Sequence, residues 1–115
     1  MITVHEPDPP DDIKVSSFTS VSVNITWWPS YNGGLPQHFT LQYKLSSQLD
    51  SYYKTYLENI PDPSNKEGPV LVEICLDGLQ QDTSYTLRVM AVNSNIGNNQ
   101  SGYAITECLT GSKLN

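Results

Sequence analysis

The sequence has no hydrophobic run approaching the roughly 18 residues that a membrane-spanning helix needs. Basic side chains are also few, because six lysine and arginine residues stand against twelve acidic ones and leave a net charge of −6. An acidic surface repels the phosphate backbone of nucleic acids. We therefore expect no direct membrane insertion of this segment and no nucleic-acid partner.

Histidine and cysteine are scarce as well, with two of each in 115 residues. His5 and His38 lie far along the chain from either cysteine, so the ligands for a metal centre are lacking. The chain contains no Gly-x-Ser-x-Gly, no phosphate-binding loop and no His-Glu-x-x-His. These absences predict that the protein is not an enzyme and takes neither a metal nor a cofactor.

Alanine is rare, apolar residues nowhere recur at helical spacing over three turns, and serine, threonine, valine and tyrosine are abundant. Four segments instead alternate apolar with polar residues, which is the period of a strand with one buried face. Their predicted inward positions are Val21, Val23, Ile25 and Trp27; Phe39, Leu41 and Tyr43; Val70, Val72, Ile74 and Leu76; and Tyr85, Leu87, Val89 and Ala91.

Segments rich in proline, glycine, asparagine and serine separate these strands at residues 29–36, 60–69 and 93–102. Shorter strands are predicted at residues 13–15, 53–57 and 104–110, which makes seven in total. Short alternating strands with frequent turn signals predict an all-β, seven-stranded, two-sheet sandwich at residues 9–110. Residues 1–8 are expected to be an inter-domain linker or an added start, and residues 111–115 a linker or tag.

Two groups of residues resemble a known family. They are Pro9-Pro10, Val21-x-Val23-x-Ile25-x-Trp27-x-Pro29, Gly33-Gly34-Leu35-Pro36 and Phe39-x-Leu41-x-Tyr43-Lys44; then Leu76-x-x-Leu79-Gln80-Gln81-Asp82-Thr83-x-Tyr85-x-Leu87-Arg88-Val89-x-Ala91-Val92-Asn93. In this order they resemble a fibronectin type III domain, although Gln81 stands where the family often has proline. The Gly-Gly-Leu-Pro-Gln loop, followed by an aromatic residue and Tyr-Lys, further resembles such domains in nephrin-like adhesion receptors of the immunoglobulin superfamily.

The resemblance implies a fibronectin type III-like, immunoglobulin-like sandwich with a large aromatic side chain between its sheets. Trp27 is the largest inward residue of its strand and is expected at the centre of the core. Tyr85 is expected to form a tyrosine corner, in which its hydroxyl group bonds the backbone a few residues upstream. The predicted core residues are Trp27, Tyr43, Leu76, Leu79, Tyr85 and Val89.

Exposed aromatic and basic residues are the candidates for binding. Trp28 points outward by alternation, and aromatic residues are enriched at binding hot spots. Tyr53 and Tyr56 lie on a predicted edge strand, where Lys44 and Arg88 could stack on the tyrosine rings. The alternatives are that Pro29 or a neighbouring side chain covers Trp28, and that the loop at residues 60–69 folds over the edge strand while the tyrosines pack on one another as scaffold. The candidate interface residues are Trp28, Tyr53, Tyr56, Lys44 and Arg88.

Two N-glycosylation sequons begin at Asn24 and Asn99. Cys75 and Cys108 form an even pair that an extracellular domain could join as a disulfide. Cys75 lies on the outward phase of its strand, however, and the strand of Cys108 is expected in the facing sheet. Because bridged Cα atoms must approach within about 7 Å, two free thiols are the other possibility.

The fold and the sequons together favour an extracellular segment of a secreted or single-pass membrane protein. The predicted function is a protein-interaction module of a cell-surface adhesion or receptor protein, with either a protein partner or neighbouring domains of the same chain as its contact. The alternative is a passive spacer between domains. A module of a giant muscle-type protein or a bacterial spacer is a third class, which the sequons and cysteines disfavour.

Overall fold

The computed structural model describes residues 4–94 and 99–112, which form seven β-strands in two antiparallel sheets. The strands are β1 (Asp11–Phe18), β2 (Val23–Trp28), β3 (Gln37–Leu45), β4 (Lys54–Pro61), β5 (Val72–Leu76), β6 (Ser84–Asn93) and β7 (Ala104–Leu109). A 3₁₀ turn at Asp50–Tyr52 precedes β4. One sheet has the order β1-β2-β5 and the other β4-β3-β6-β7. The prediction of a seven-stranded, two-sheet sandwich is confirmed.

The core fills the space between the two sheets. Trp27 of β2 is fully buried, and its ring meets that of Phe39 edge to face with the centroids 5.6 Å apart. The other side chains of the predicted core lie around this pair. Leu76, Leu79, Tyr85 and Val89 are buried, and Tyr43 is half-buried and packs against them.

Two residues assigned to buried strand positions lie outside the strands. Val21 is 50% exposed because it belongs to the turn between β1 and β2, where its backbone N–H and that of Ser22 donate to the hydroxyl oxygen of Thr19. Val70 is also exposed, since β5 begins only at Val72. The alternation of apolar residues therefore continues past the ends of both strands. Conversely, β4 extends to Pro61, into the segment predicted as a loop.

Tyr85 forms the tyrosine corner predicted for this position. Its phenolic oxygen accepts a hydrogen bond of 2.9 Å from the backbone N–H of Gln80, while its ring is buried in the core. One side chain thus ties the turn between β5 and β6 to the start of β6.

Replacing Tyr85 by phenylalanine should lower the free energy of unfolding by about 1–2 kcal/mol. The ring keeps its packing, but the partly buried N–H of Gln80 loses its acceptor. Urea denaturation of the variant measures the loss. The matched control is Tyr52→Phe, because Tyr52 is exposed and its replacement should change stability by less than about 0.5 kcal/mol. Equal effects of the two substitutions would show that the corner hydrogen bond is not stabilising.

The segment before β1 is bonded to the domain. The backbone N–H groups of His5 and Asp8 donate to the carbonyl oxygens of Gly33 and Tyr31, at 3.0 and 2.8 Å. The side-chain amide of Asn93, which is fully buried, donates to the carbonyl oxygen of His5 at 2.8 Å. Residues 5–8, expected to be a linker, therefore pack against the loop between β2 and β3.

A similar contact lies beyond β7. The N–H of Gly111 donates to the carbonyl oxygen of Thr19 at 2.9 Å, and the N–H of Asp82 donates to that of Gly111 at 3.0 Å. Packed residues therefore extend beyond positions 9 and 110 on both sides.

Both cysteines are free thiols. Cys75 is exposed on β5, and Cys108 is half-buried on β7, so the two residues belong to different sheets. Of the two possibilities that the sequence left open, the structure has the reduced pair. Burial raises the pKa of the Cys108 thiol, which keeps it protonated and less nucleophilic.

Candidate functional site

The guanidinium group of Arg88 lies between two tyrosine rings on the outside of the four-stranded sheet. Its Cζ atom is 3.7 Å from the ring centroid of Tyr53 and 3.9 Å from that of Tyr103. A cation this close to an aromatic face is attracted by the ring quadrupole, by about 0.5–1 kcal/mol at an exposed site. The stacking of Arg88 on Tyr53 that the sequence predicted is present, and Tyr103 adds a second ring.

The order of the strands explains this arrangement. Arg88 alternates with the buried Leu87 and Val89 in the interior strand β6, so its side chain points away from the core. Tyr53 and Tyr103 stand immediately before the two edge strands, β4 and β7. The two rings therefore reach the guanidinium group from opposite margins of the sheet.

A chain of polar side chains fixes the orientation of the guanidinium group. The Nε atom of Arg88 donates to Oε1 of Gln42 at 2.7 Å, and Nε2 of the same glutamine donates to Oγ1 of Thr55 at 3.1 Å. Gln42 is the register partner of both Arg88 and Thr55. The three strands β6, β3 and β4 thus contribute one residue each to a continuous line of hydrogen bonds.

The outer side of β7 completes this surface. Ile105 is the register partner of Arg88 and is 58% exposed, and Glu107 follows it on the same face. Residues directly opposite in adjacent strands have neighbouring side chains. We use the term Arg88 face for the surface formed by Gln42, Tyr53, Arg88, Tyr103, Ile105 and Glu107. It combines a held cation, two aromatic rings, an exposed aliphatic side chain and one carboxylate.

The electrostatics of Tyr53 reflect this packing. Burial raises the pKa of its phenol above the usual range, and the nearby Arg88 offsets part of that rise. The phenol therefore stays neutral at physiological pH. It is available as a hydrogen-bond donor beside the guanidinium group.

Lys44 was predicted as an exposed interface residue whose ammonium group could stack on a tyrosine ring. The contact with a ring is present, but the predicted exposure is wrong. Lys44 lies in the outward phase of β3, but its side chain is buried. Its ammonium group donates to the carbonyl oxygen of Gln48 at 2.7 Å and lies 5.5 Å from the ring centroid of Tyr53. The turn after β3 folds back over the lysine, so the ammonium group supports that turn and the ring of Tyr53.

Tyr56 was predicted to form the interface with Tyr53, but its contacts join the two sheets. Its single hydroxyl hydrogen is shared between two acceptors, Oδ1 of Asp77 at 3.0 Å and the carbonyl oxygen of Cys75 at 3.3 Å. Its ring meets the ring of Tyr43 edge to face, with centroids 6.2 Å apart. Burial raises the pKa of this phenol too. These contacts are those of the scaffold alternative.

Trp28 lies on the other sheet. It is the last residue of β2, pairs with Asp11 and is 37% exposed, whereas Trp27 is fully buried.

The five residues of the predicted interface are thus divided: Tyr53 and Arg88 share one face, Lys44 lies beneath it, and Trp28 and Tyr56 lie elsewhere. Sequence reasoning missed Tyr103 and Ile105, although the exposed phase of β7 was a signal for Ile105.

The two sequons occupy different parts of the fold. Asn24 is half-buried in the central strand of the three-stranded sheet, and its side-chain amide donates to Oγ of Ser17 at 2.8 Å. Asn99 is half-exposed, and its carbonyl oxygen accepts a hydrogen bond of 3.0 Å from the backbone N–H of Asn93. Whether either side chain carries a glycan stays a prediction.

Within residues 4–94 and 99–112, no cluster of three or more histidine, cysteine or acidic side chains could hold a metal ion. In the same part of the chain, no helix is long and apolar enough to cross a membrane.

Comparison with families of known proteins gives a match over most of the chain. A family described as "Fibronectin type III domain" matches residues 8–107. Human nephrin is 32% identical over 94 residues, which are 82% of this chain and 7% of nephrin. Human Brother of CDO is 33% identical over 88 residues, 76% of this chain and 7% of that protein.

Human "Cell adhesion molecule-related/down-regulated by oncogenes" is 31% identical over 88 residues, again 76% of this chain and 6% of the relative. The chain therefore spans less than a tenth of each of these relatives.

Solved structures share the fold. Astrotactin-2 superimposes with a TM-score of 0.74 at 16% identity, covering 94% of this chain and 23% of that one. Domains A168–A170 of titin give 0.68 at 24% identity, covering 93% and 33%.

Proposed function

Because this chain belongs to the fibronectin type III family, we propose that it is a non-catalytic protein-interaction module in the extracellular part of a cell-surface adhesion or receptor protein. Its relatives of about 30% identity include nephrin and a protein whose name describes it as related to a cell adhesion molecule. Their fibronectin type III segments support the same class of role for this chain.

The observation that carries the proposal is the composition of the Arg88 face. Protein interfaces and their hot spots are enriched in tyrosine and arginine, and side chains that are already ordered cost less to immobilise on binding. Tyr53, Arg88 and Tyr103 are such residues, and they are fixed by stacking and by the hydrogen bond to Gln42. The exposed side chain of Ile105 beside them supplies apolar area that a partner can bury.

The three-stranded sheet offers less of this chemistry. Its exposed aromatic residues are Phe18 at the end of β1 and Trp28 at the end of β2, and the single arginine of the chain belongs to the other sheet. The proposed glycosylation site Asn24 lies on the same sheet. A glycan there would leave the Arg88 face free.

The test is binding of the domain, displayed in many copies on beads, to a panel of purified cell-surface ectodomains. We expect specific retention by at least one ectodomain. Replacing Ile105 with serine should weaken that retention about tenfold or more, because the apolar contact next to the anchor residues is lost while the charge of the face is unchanged. The folded state should be preserved, since Ile105 is largely exposed.

The matched control is Val21→Ser, which replaces an apolar β-branched side chain with the same hydroxyl at a 50% exposed valine in the turn between β1 and β2. It should bind like the unmodified domain. Equal losses in the two variants would count against the Arg88 face. Retention of no ectodomain by the unmodified domain would contradict an interaction module and favour the spacer.

The spacer is the second candidate because the segment before β1 is held firmly. Three hydrogen bonds attach His5 and Asp8 to the loop between β2 and β3 and to Asn93. A spacer with a bonded entry segment fixes the direction of whatever precedes it. Such a role needs no partner for the Arg88 face, so the bead experiment distinguishes the two functions.

A further inference from the structure

The guanidinium group of Arg88 has hydrogen-bond donors without an acceptor in the described part of the chain. Tyr53 and Tyr103 cover its two planar faces, and its Nε–H donates to Gln42. The donors that remain are the N–H groups of the two terminal nitrogen atoms, at the rim of the plane. Both ion pairs within the described residues are formed by lysines, and neither includes Arg88. The cation is therefore held rigidly and has no carboxylate partner in the described part of the chain.

We infer that Arg88 is the recognition site for an Asp or Glu carboxylate presented by a partner protein. The inference rests on the proposed function, because it assigns the partner's chemistry at the same face. Guanidinium and carboxylate groups are both planar and join through two parallel N–H···O bonds. Because the tyrosine rings cover both planar faces of the guanidinium group, a carboxylate can approach it only in its plane.

Preorganisation strengthens this assignment. A free arginine loses rotamer freedom when it binds, whereas Arg88 is already fixed by two rings and a hydrogen bond of 2.7 Å. Ile105, opposite Arg88 in the neighbouring strand, provides an apolar wall beside the rim. Such a wall excludes water from the contact, and a charged hydrogen bond is stronger where water is excluded.

The charges of the face favour a single carboxylate on a protein over a polyanion such as a sulfated glycan. The ammonium group of Lys44, the second cation of this region, is buried and bonded to the carbonyl of Gln48. Glu107 lies on the same face, and the whole chain has a net charge of −6. A polyanion would contact a single accessible cation, Arg88, and the negative charge of the surrounding protein surface would repel its other anionic groups.

The chain has a single arginine among its 115 residues, which makes a direct spectroscopic test possible. The side-chain nitrogen signals of Arg88 in ¹⁵N-labelled protein would be followed during titration with the capped peptide acetyl-Gly-Glu-Gly-amide. The neutral acetyl-Gly-Gln-Gly-amide is the matched control probe, and sodium sulfate is the third. We expect saturable shifts of the terminal nitrogens with the Glu peptide, and an affinity about tenfold above that for the Gln peptide.

Arg88→Lys keeps the charge and removes the planar fork, so it should reduce the preference for the Glu peptide to a few-fold, whereas Arg88→Gln removes the charge and should abolish it. Binding to both variants is read from the ring signals of Tyr53 and Tyr103. Equal affinity for both peptides would overturn the assignment, and so would tighter binding of sulfate than of the Glu peptide. The bead experiment tests the contribution of Ile105 to ectodomain binding, whereas the peptide titration measures binding at Arg88, so the two can fail separately. If Ile105→Ser weakens ectodomain binding but the peptides bind alike, the carboxylate assignment fails and the proposed function stands. If the Glu peptide is preferred but no ectodomain is retained, the assignment stands and the proposed function fails.

Discussion

Replacing Trp27 with alanine should lower the free energy of unfolding by about 3–5 kcal/mol, which is a large part of the stability of a domain of this size. The indole is fully buried between the sheets and meets Phe39 edge to face at 5.6 Å. Because β-sheets on both sides hold the surrounding side chains, the cavity left by the indole cannot collapse completely. Urea denaturation followed by far-ultraviolet circular dichroism measures the loss without depending on tryptophan fluorescence.

Two further variants isolate the cause. The indole N–H of Trp27 is buried without a hydrogen-bond partner among the described residues, so it contributes nothing as a donor. Trp27→Phe should therefore cost much less than alanine, about 1–2 kcal/mol, since it removes volume together with an unsatisfied polar group. Trp28→Ala, at the exposed neighbouring position, should cost less than about 1 kcal/mol. A loss for Trp28→Ala as large as for Trp27→Ala would contradict the central position of Trp27.

The burial of Trp27 could be predicted from sequence because alternation defines which side chains of a strand share a face. Alternation does not show where a strand ends, as Val21 demonstrates. The hydroxyl oxygen of Thr19 accepts the backbone N–H groups of Val21 and Ser22, and that local turn removes the valine from β2. A hydrogen bond between a side chain and the backbone thus overrides an apolar pattern at the end of a strand.

The Arg88 face was predictable in part for a related reason. The exposed phase of β6 identified Arg88, and a nearby tyrosine-rich segment suggested stacking. Tyr103 could not be identified, because its contact with Arg88 depends on β7 lying beside β6, which no local pattern specifies. The exposure of Lys44 was predicted wrongly for a different reason. The turn that buries it begins directly after β3, and the acceptor on Gln48, four residues further along the chain, lies in a segment that alternation does not describe.

Replacing Gly33 with alanine should destabilise the domain by about 2–4 kcal/mol and release the segment before β1. Gly33 has a φ of +77°, a conformation that costs other residues about 1–2 kcal/mol. A Cβ atom at this position would also overlap the carbonyl oxygen of His5 and lie 2.8 Å from Nδ2 of Asn93. Backbone and a fully buried side chain cannot move aside cheaply, so the segment of residues 5–8 should detach instead.

Gly78→Ala is the matched control, because Gly78 has nearly the same φ, +75°, and an added Cβ there would meet nothing within 4 Å. It should show the conformational cost alone, about 1–2 kcal/mol, so the excess for Gly33→Ala measures the overlap with the entry segment. Hydrogen exchange gives the second readout, since the amides of His5 and Asp8 should lose protection in Gly33→Ala and keep it in Gly78→Ala. Equal destabilisation with both amides still protected would contradict a bonded entry segment. His5 lies outside residues 8–107, which match the family, so its attachment is inferred from the hydrogen bonds of this structure alone.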